Sequence, residues 1–210
     1  MTVASPAATR PSTPGGTSAA GVPVAGRSAW WVLIGGAIGL LASATLTVEK
    51  FMLLVDWSYV PTCSLNPVLS CGSVMSTPQA EIFGFPNPLL GIVAFTVMVV
   101  SGVLAVTNVR LPQWYWVGLA TGTLLGVVFV QWLIFQSLYR IGALCPYCIV
   151  VWAVVVPLFV VVASIALRPV GGHPVARGLY QWRWSIVALW FTAVILMILV
   201  RFWDYWSTLI

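Results

Sequence analysis

Cys145-Pro146-Tyr147-Cys148 opens a long apolar run, 149–167, broken only by Pro157 and Ser164. Cysteines at i and i+3 of a first helical turn share one face, close enough to join as a disulfide. The N-terminus of a helix presents unpaired N–H groups and a partial positive charge, both of which favour thiolate over thiol. Proline suits that turn because no N–H partner is needed there. Such a pair takes up and releases electrons two at a time. The other two cysteines, Cys63 and Cys71, lie together far upstream. The residues therefore predict two pairs, with electrons passed from one to the other.

Two plainer uses of four cysteines compete with this. Zinc takes four thiolates, but here the order is C-x7-C, then 73 residues, then C-x2-C. The single histidine, His173, falls on the opposite membrane face in the topology drawn below. Inert disulfides are the second rival, yet C-x-x-C closes a loop too small to stabilise a fold much. That favours a redox role for Cys145 and Cys148, while Cys63 and Cys71 alone would be ambiguous. The alternative kept open is a non-enzymatic membrane protein whose cysteines bind metal or staple loops.

The elements that must carry these residues are membrane helices. Of 210 residues, 60% are hydrophobic and 6% charged, and mean hydropathy is +1.02. A soluble domain carries about 25% charged residues, so the bilayer has to serve as solvent for most of this chain. The net charge of +5 is scattered and forms no stripe that could track nucleic acid. Residues 1–29 are rich in Ala, Pro, Ser, Thr and Gly, which predicts a disordered cytoplasmic tail. The remainder, 30–210, is expected to be one membrane domain.

Spans are expected at 30–48, 89–109, 114–135, 145–167 and 184–200. Ala42-Ser43-Ala44 looks like a small-residue cleavage site, but the apolar run continues past it and an uncut helix is expected. Glu49 and Lys50 are read as markers of the far headgroup layer, with 51–55 continuing the helix. Residues 56–87 hold four prolines and no Arg or Lys, which predicts an outer loop with a short helix resting on the membrane. Glu81 in that loop is expected to be solvated. Residues 168–183 read as a polar link. The glycines Gly35 and Gly39, and Gly118, Gly122 and Gly126, have the small-xxx-small spacing of close helix packing. Pro157 should kink the fourth span, and Gln131 and Gln136 either face neighbouring helices or touch a substrate.

Arginine and lysine in the short loops set the orientation. Arg10, Arg27, Arg110, Arg168, Arg177 and Arg183 gather on one side, against Arg140, Arg201 and the border residue Lys50 on the other. The first side is expected to be cytoplasmic, with the N-terminus inside and the C-terminus outside. Trp30, Trp31, Trp114 and Trp184 fit the inner interface, and Trp57, Tyr139 and Trp203 the outer one. All four cysteines then fall on the outer face, where disulfides persist. Cys148 sits slightly deeper, beside Tyr147, Ile149, Val151 and Trp152. No motif for a nucleotide, haem or flavin is present, so a lipid-soluble quinone is the expected electron acceptor.

The order of the pairs, with a loop pair first and C-x-x-C opening a later span, resembles the vitamin K epoxide reductase family. The run from Cys71 through Gly72, Ser73, Val74, Met75, Ser76 and Thr77 matches it closely, as does Phe85-Pro86-Asn87-Pro88-Leu89-Leu90-Gly91. The likeness covers about 30–167 and is to the bacterial branch, which makes disulfides in exported proteins. The other membrane thiol oxidases, of the DsbB type, place C-x-x-C first. The resemblance implies an all-α membrane protein of five transmembrane helices, a four-helix bundle around a quinone site plus a fifth helix. It implies that Cys63 exchanges with a partner protein, Cys71 relays to Cys145, and Cys148 faces and contacts the quinone. Asn87 would hydrogen-bond the quinone, and Ser76 or Thr77 would supply a hydroxyl near it. Trp152 stands where vertebrate members have tyrosine; an indole N–H donates but cannot accept. The implied reaction is dithiol plus quinone to disulfide plus quinol, in the inner (plasma) membrane. Some relatives fuse a thioredoxin-like domain after the fifth span. With the chain ending at Ile210, the stand-alone form and a separate DsbA-like thioredoxin-fold donor are expected. A bias to Arg over Lys and to Ala and Val points to a GC-rich bacterium, and so to menaquinone over ubiquinone.

Overall fold

A computed structural model describes residues 21–56, 58–167 and 174–207. Most of the expected tail, Trp57, and the start of the polar link with Arg168 and His173 lie outside them. Among the described residues seven α-helices follow in order: α1 (Gly26–Val55), α2 (Cys71–Met75), α3 (Asn87–Val106), α4 (Gln113–Gln136), α5 (Pro146–Ala166), α6 (Pro174–Arg201) and α7 (Trp203–Trp206). Five of them are long and apolar enough to cross a bilayer. The protein is an all-α, multi-pass membrane protein, as its composition predicts.

The ends of the elements have local causes. α3 and α5 each carry proline in the first turn, Pro88 and Pro146, where the missing N–H costs nothing. α4 runs into a π-helical turn, Ser137–Ile141, closed by Gly142 at φ 71°. That left-handed conformation is open to glycine without steric cost. α5 stays helical through Pro157.

Two boundaries differ from the sequence reading. Order begins before residue 30: the Val22 N–H donates to the Leu111 carbonyl at 2.9 Å. Val22 is buried in an apolar cluster with Ala29, Trp116 and Ile165, which fastens residues 21–25 to the turn between α3 and α4. The helix before the fifth span also starts earlier, at Pro174, inside the stretch read as a polar link.

α1 packs along α3 and α5, α4 packs on α5, and α6 leans on α5 from outside. Small residues permit the tight contacts of α1. A Cβ on Gly39 would stand 2.2 Å from the Phe95 ring, and one on Gly35 would stand 2.9 Å from Leu158. The packing role expected of these two glycines holds. For Gly118 and Gly122 it does not, because a Cβ on either meets nothing within 4 Å. α3 and α4 stand apart along most of their length. They are tied by a hydrogen bond between the Ser101 and Tyr115 hydroxyls at 2.7 Å, and the gap between them is the cavity described next.

Candidate active site

The segment between the first two cysteines folds through its own polar groups. The Asn66 carboxamide oxygen accepts from the N–H groups of Val68 and Leu69, at 3.0 and 2.7 Å, a side-chain-closed turn of the kind asparagine favours. The Ser70 hydroxyl then accepts from the Ser73 N–H and caps α2, whose first residue is Cys71. A short parallel bridge pairs Leu69 with Leu144. In it the Leu144 N–H donates to Val68 at 2.7 Å and the Ser70 N–H to Leu144 at 2.9 Å. Leu144 directly precedes Cys145, the N-cap of α5.

These bonds bring three sulfurs together. Cys63 and Cys71 form a disulfide, Cys145 and Cys148 are free thiols, and the Cys71 Sγ lies 3.0 Å from the Cys145 Sγ. Cys63, Cys71 and Cys145 are 6%, 0% and 1% exposed, packed with Leu46 and Met75. Cys145, the residue immediately outside the α5 span, has its thiol pKa lowered. The hydrogen bond from the Cys148 thiol is the main cause, and the backbone N–H groups of Cys148 and Tyr147 add to it against burial. Thiol–disulfide exchange proceeds by thiolate attack on a disulfide sulfur. A thiol favoured as thiolate, in contact with a disulfide sulfur, is the arrangement that reaction requires.

Behind the sulfurs lies an apolar cavity of about 530 Å³. Cys148, Trp152, Asn87, Thr77, Gln136 and Lys50 line its cysteine end, and Trp114 and Tyr115 its far end. From Tyr115 to Gln136 along α4 is ~30 Å at 1.5 Å per residue. Gly118, Gly122 and Gly126 face this slot, which corrects their expected role as helix contacts: the missing side chains leave room for the cavity. Asn87 opens α3 and donates through Nδ2 to the Gln79 carbonyl at 2.7 Å, while its Oδ1 is buried without a partner.

The sequence-derived candidates divide accordingly. Cys148, Asn87, Thr77 and Trp152 all line the cavity. Ser76 does not; it is exposed and its hydroxyl donates to the Ser73 carbonyl. Gln136 reaches the cavity, whereas Gln131 accepts from the Trp190 indole N–H at 3.0 Å, on the neighbouring helix.

The family model for vitamin K epoxide reductases matches residues 30–163, which hold the loop, the cavity and all four cysteines. The chain belongs to the vitamin K epoxide reductase family. As a member it is a membrane thiol–quinone oxidoreductase. No curated protein matches the chain in a direct comparison. The cavity of this vitamin K epoxide reductase homologue fits a quinone on its own features. It is long and apolar, it ends on a free thiol, and the buried Asn87 amide oxygen on its wall is unpaired.

Sequence reasoning missed three charged residues. Glu49 and Lys50, read as markers of the far headgroup layer, are buried in the protein itself, only 6% and 7% exposed. Glu81 is solvated as expected, its side chain 40% exposed, but it also pairs with Lys50 at 2.7 Å. The available signal was an adjacent acid and base in an otherwise apolar helix, a costly feature within a membrane span that points to local partners.

Proposed function

We propose that this protein oxidises the dithiol of an exported, DsbA-like thioredoxin-fold protein and delivers the electrons to menaquinone. One observation carries the reading: the Cys71 and Cys145 sulfurs touch at 3.0 Å while Cys148 lines the apolar cavity. The bond pattern, with a loop disulfide and two free C-x-x-C thiols, corresponds to electrons having moved from the loop to the inner pair.

The steps balance as follows. A partner thiolate attacks Cys63, breaking the Cys63–Cys71 bond and releasing Cys71 as thiolate. The second partner thiol then attacks the mixed disulfide, and the partner leaves oxidised with Cys63 reduced. Cys71 thiolate attacks Cys145 of a Cys145–Cys148 disulfide and releases Cys148. Cys63 attacks Cys71, restoring the loop disulfide and freeing Cys145. A quinone bound beside Cys148 supplies the two-electron, two-proton acceptor that returns the inner pair to disulfide. Asn87 offers it one remaining N–H and an unpaired acceptor oxygen, groups that suit a carbonyl and a hydroxyl respectively. Trp152 contributes a wall and Thr77 an acceptor oxygen, its hydroxyl proton going to the Val74 carbonyl at 2.7 Å, whereas the exposed position of Ser76 gives it no part.

The topology supports an outer placement of this centre in the plasma membrane, since arginine collects at the other loops. The metal reading draws on Cys63, Cys71 and Cys145, whose sulfurs lie within 4.8 Å of one another. Two of those sulfurs share a disulfide, and a zinc ligand has to be a thiolate.

The deciding experiment mixes purified protein with a reduced thioredoxin-fold donor and a menaquinone analogue. One quinol should form per donor disulfide, and Cys148→Ala should abolish quinol formation. Donor oxidation that continues in Cys148→Ala, or without quinone, would sink the proposal.

A further inference from the structure

Glu49 and Lys50 are neighbours at the cysteine end of α1, and successive helical residues point about 100° apart. They consequently reach different parts of the loop. The Glu49 carboxylate accepts from the Tyr59 hydroxyl at 2.9 Å, from the Thr62 hydroxyl at 2.5 Å and from the Thr62 N–H at 3.4 Å. Thr62 directly precedes Cys63. The Lys50 ammonium donates to the Met75 carbonyl at 2.7 Å and pairs with Glu81 at 2.7 Å. Met75 ends the helix that Cys71 begins. Both charges are buried, and each is matched by ionic or hydroxyl partners belonging to one arm of the loop. A buried charge without a partner is strongly disfavoured, so each arm is held wherever its partner groups stay in register.

We propose that Glu49 and Lys50 are positioning residues that grip the two arms separately. Glu49 sets how often Cys63 opens to a partner thiol, and Lys50 holds Cys71 against Cys145. The need for two grips follows from the redox cycle. While the Cys63–Cys71 bond exists, it ties the arms to each other; once it is reduced, only their separate contacts hold them. Cys63 is buried in the closed loop, so once the partner's attack has broken the Cys63–Cys71 bond, the Cys63 arm has to lift for the second exchange while Cys71 stays in place. Two independent anchors allow that, whereas one shared anchor would release both cysteines together. The meaning of this division rests on the thiol-oxidase reading.

Its test needs neither quinone nor partner, and uses the full chain in membranes. In a background with Cys63 as sole cysteine (Cys71→Ser, Cys145→Ser, Cys148→Ser), maleimide labelling reads the opening of the first arm. In a Cys63→Ser, Cys148→Ser background, oxidation by diamide reads the approach of Cys71 to Cys145. Glu49→Met removes the three hydrogen bonds from Tyr59 and Thr62; it should raise Cys63 labelling at least about tenfold, the equivalent of one charge-assisted hydrogen bond, and leave crosslinking within about twofold. Lys50→Met should do the reverse, slowing crosslinking about tenfold, and Lys50→Arg should restore it. Thr62→Val and Glu81→Gln remove the same grips from the loop side, so the result does not hang on one buried substitution. Should either set of variants move both readouts together, or neither, the separate-grip assignment is wrong. A failed quinone assay would leave this result standing, and the converse also holds.

Discussion

The Ser70 N–H donates to the Leu144 carbonyl at 2.9 Å, and each of these residues is followed directly by a redox cysteine. This bond and its neighbour from the Leu144 N–H to Val68 help to set Cys71 against Cys145 across 74 residues of chain. Ser70→Pro removes that N–H, and its φ of −137° lies outside the range proline permits. The variant should slow diamide crosslinking of Cys71 to Cys145 about tenfold, by the loss of roughly 1.4 kcal/mol. Cys63–Cys71 oxidation should persist, and peptide mapping under non-reducing conditions checks both.

Cys148→Ala leaves Cys145 as a lone thiol touching the loop disulfide. Attack of Cys145 on Cys71 should yield a Cys71–Cys145 bond and a free Cys63 thiol, with no net oxidation. Mass mapping after alkylation should recover label on Cys63. Label confined to Cys145 would show that the observed contact does not support exchange.

The lowered pKa of Cys145 has a direction in pH. Its main cause is the hydrogen bond from Cys148, followed by N–H groups of the first turn of α5. In a Cys63→Ser, Cys71→Ser background, alkylation of Cys145 should reach half-maximal rate at a pH below that of an ordinary thiol. Cys148→Ala should move that midpoint upward. Because the folded value is depressed, the ionised thiol stabilises the fold fully above its unfolded pKa. That contribution is lost as pH falls through the folded value.

Asn87→Leu removes the unpaired buried oxygen together with the Nδ2 bond to Gln79. The quinone KM should rise about tenfold, the loss of a hydrogen bond of about 1.4 kcal/mol. Crosslinking of Cys71 to Cys145 should be unchanged. Steady-state quinol formation, run beside the crosslinking assay, separates the two effects.

Glycines of equal spacing should respond oppositely. Gly39→Ala drives a methyl into Phe95 and should destabilise the bundle by roughly 1–3 kcal/mol. Gly122→Ala meets open space and should be neutral, or stabilising by up to about 1 kcal/mol. Thermal unfolding in detergent compares them, and Gly122→Leu should weaken quinone binding without loss of fold.

The reading of Glu49, Lys50 and Glu81 shows where sequence information ran out. A charge in an apolar run can mark a headgroup layer or can be buried with a partner, and spacing along one helix does not choose. The choice depends on segments 10 to 31 residues downstream that fold back over the helix. The glycines of α4 pose the same problem, because the i, i+4 pattern names a face but not what lies opposite.

By itself the sequence determined the membrane class, the five spans and the two cysteine pairs. Each depends on hydropathy or on near neighbours, which act within a few helical turns. The tertiary structure supplied the contact of Cys71 with Cys145 and the shared cavity of Cys148 and Asn87 that the resemblance implied, and it alone showed that Glu49 and Lys50 of α1 bond to the loop. Those relations join residues far apart in the chain, and they are set by packing and by hydrogen bonds that form only when the loop closes over the helices.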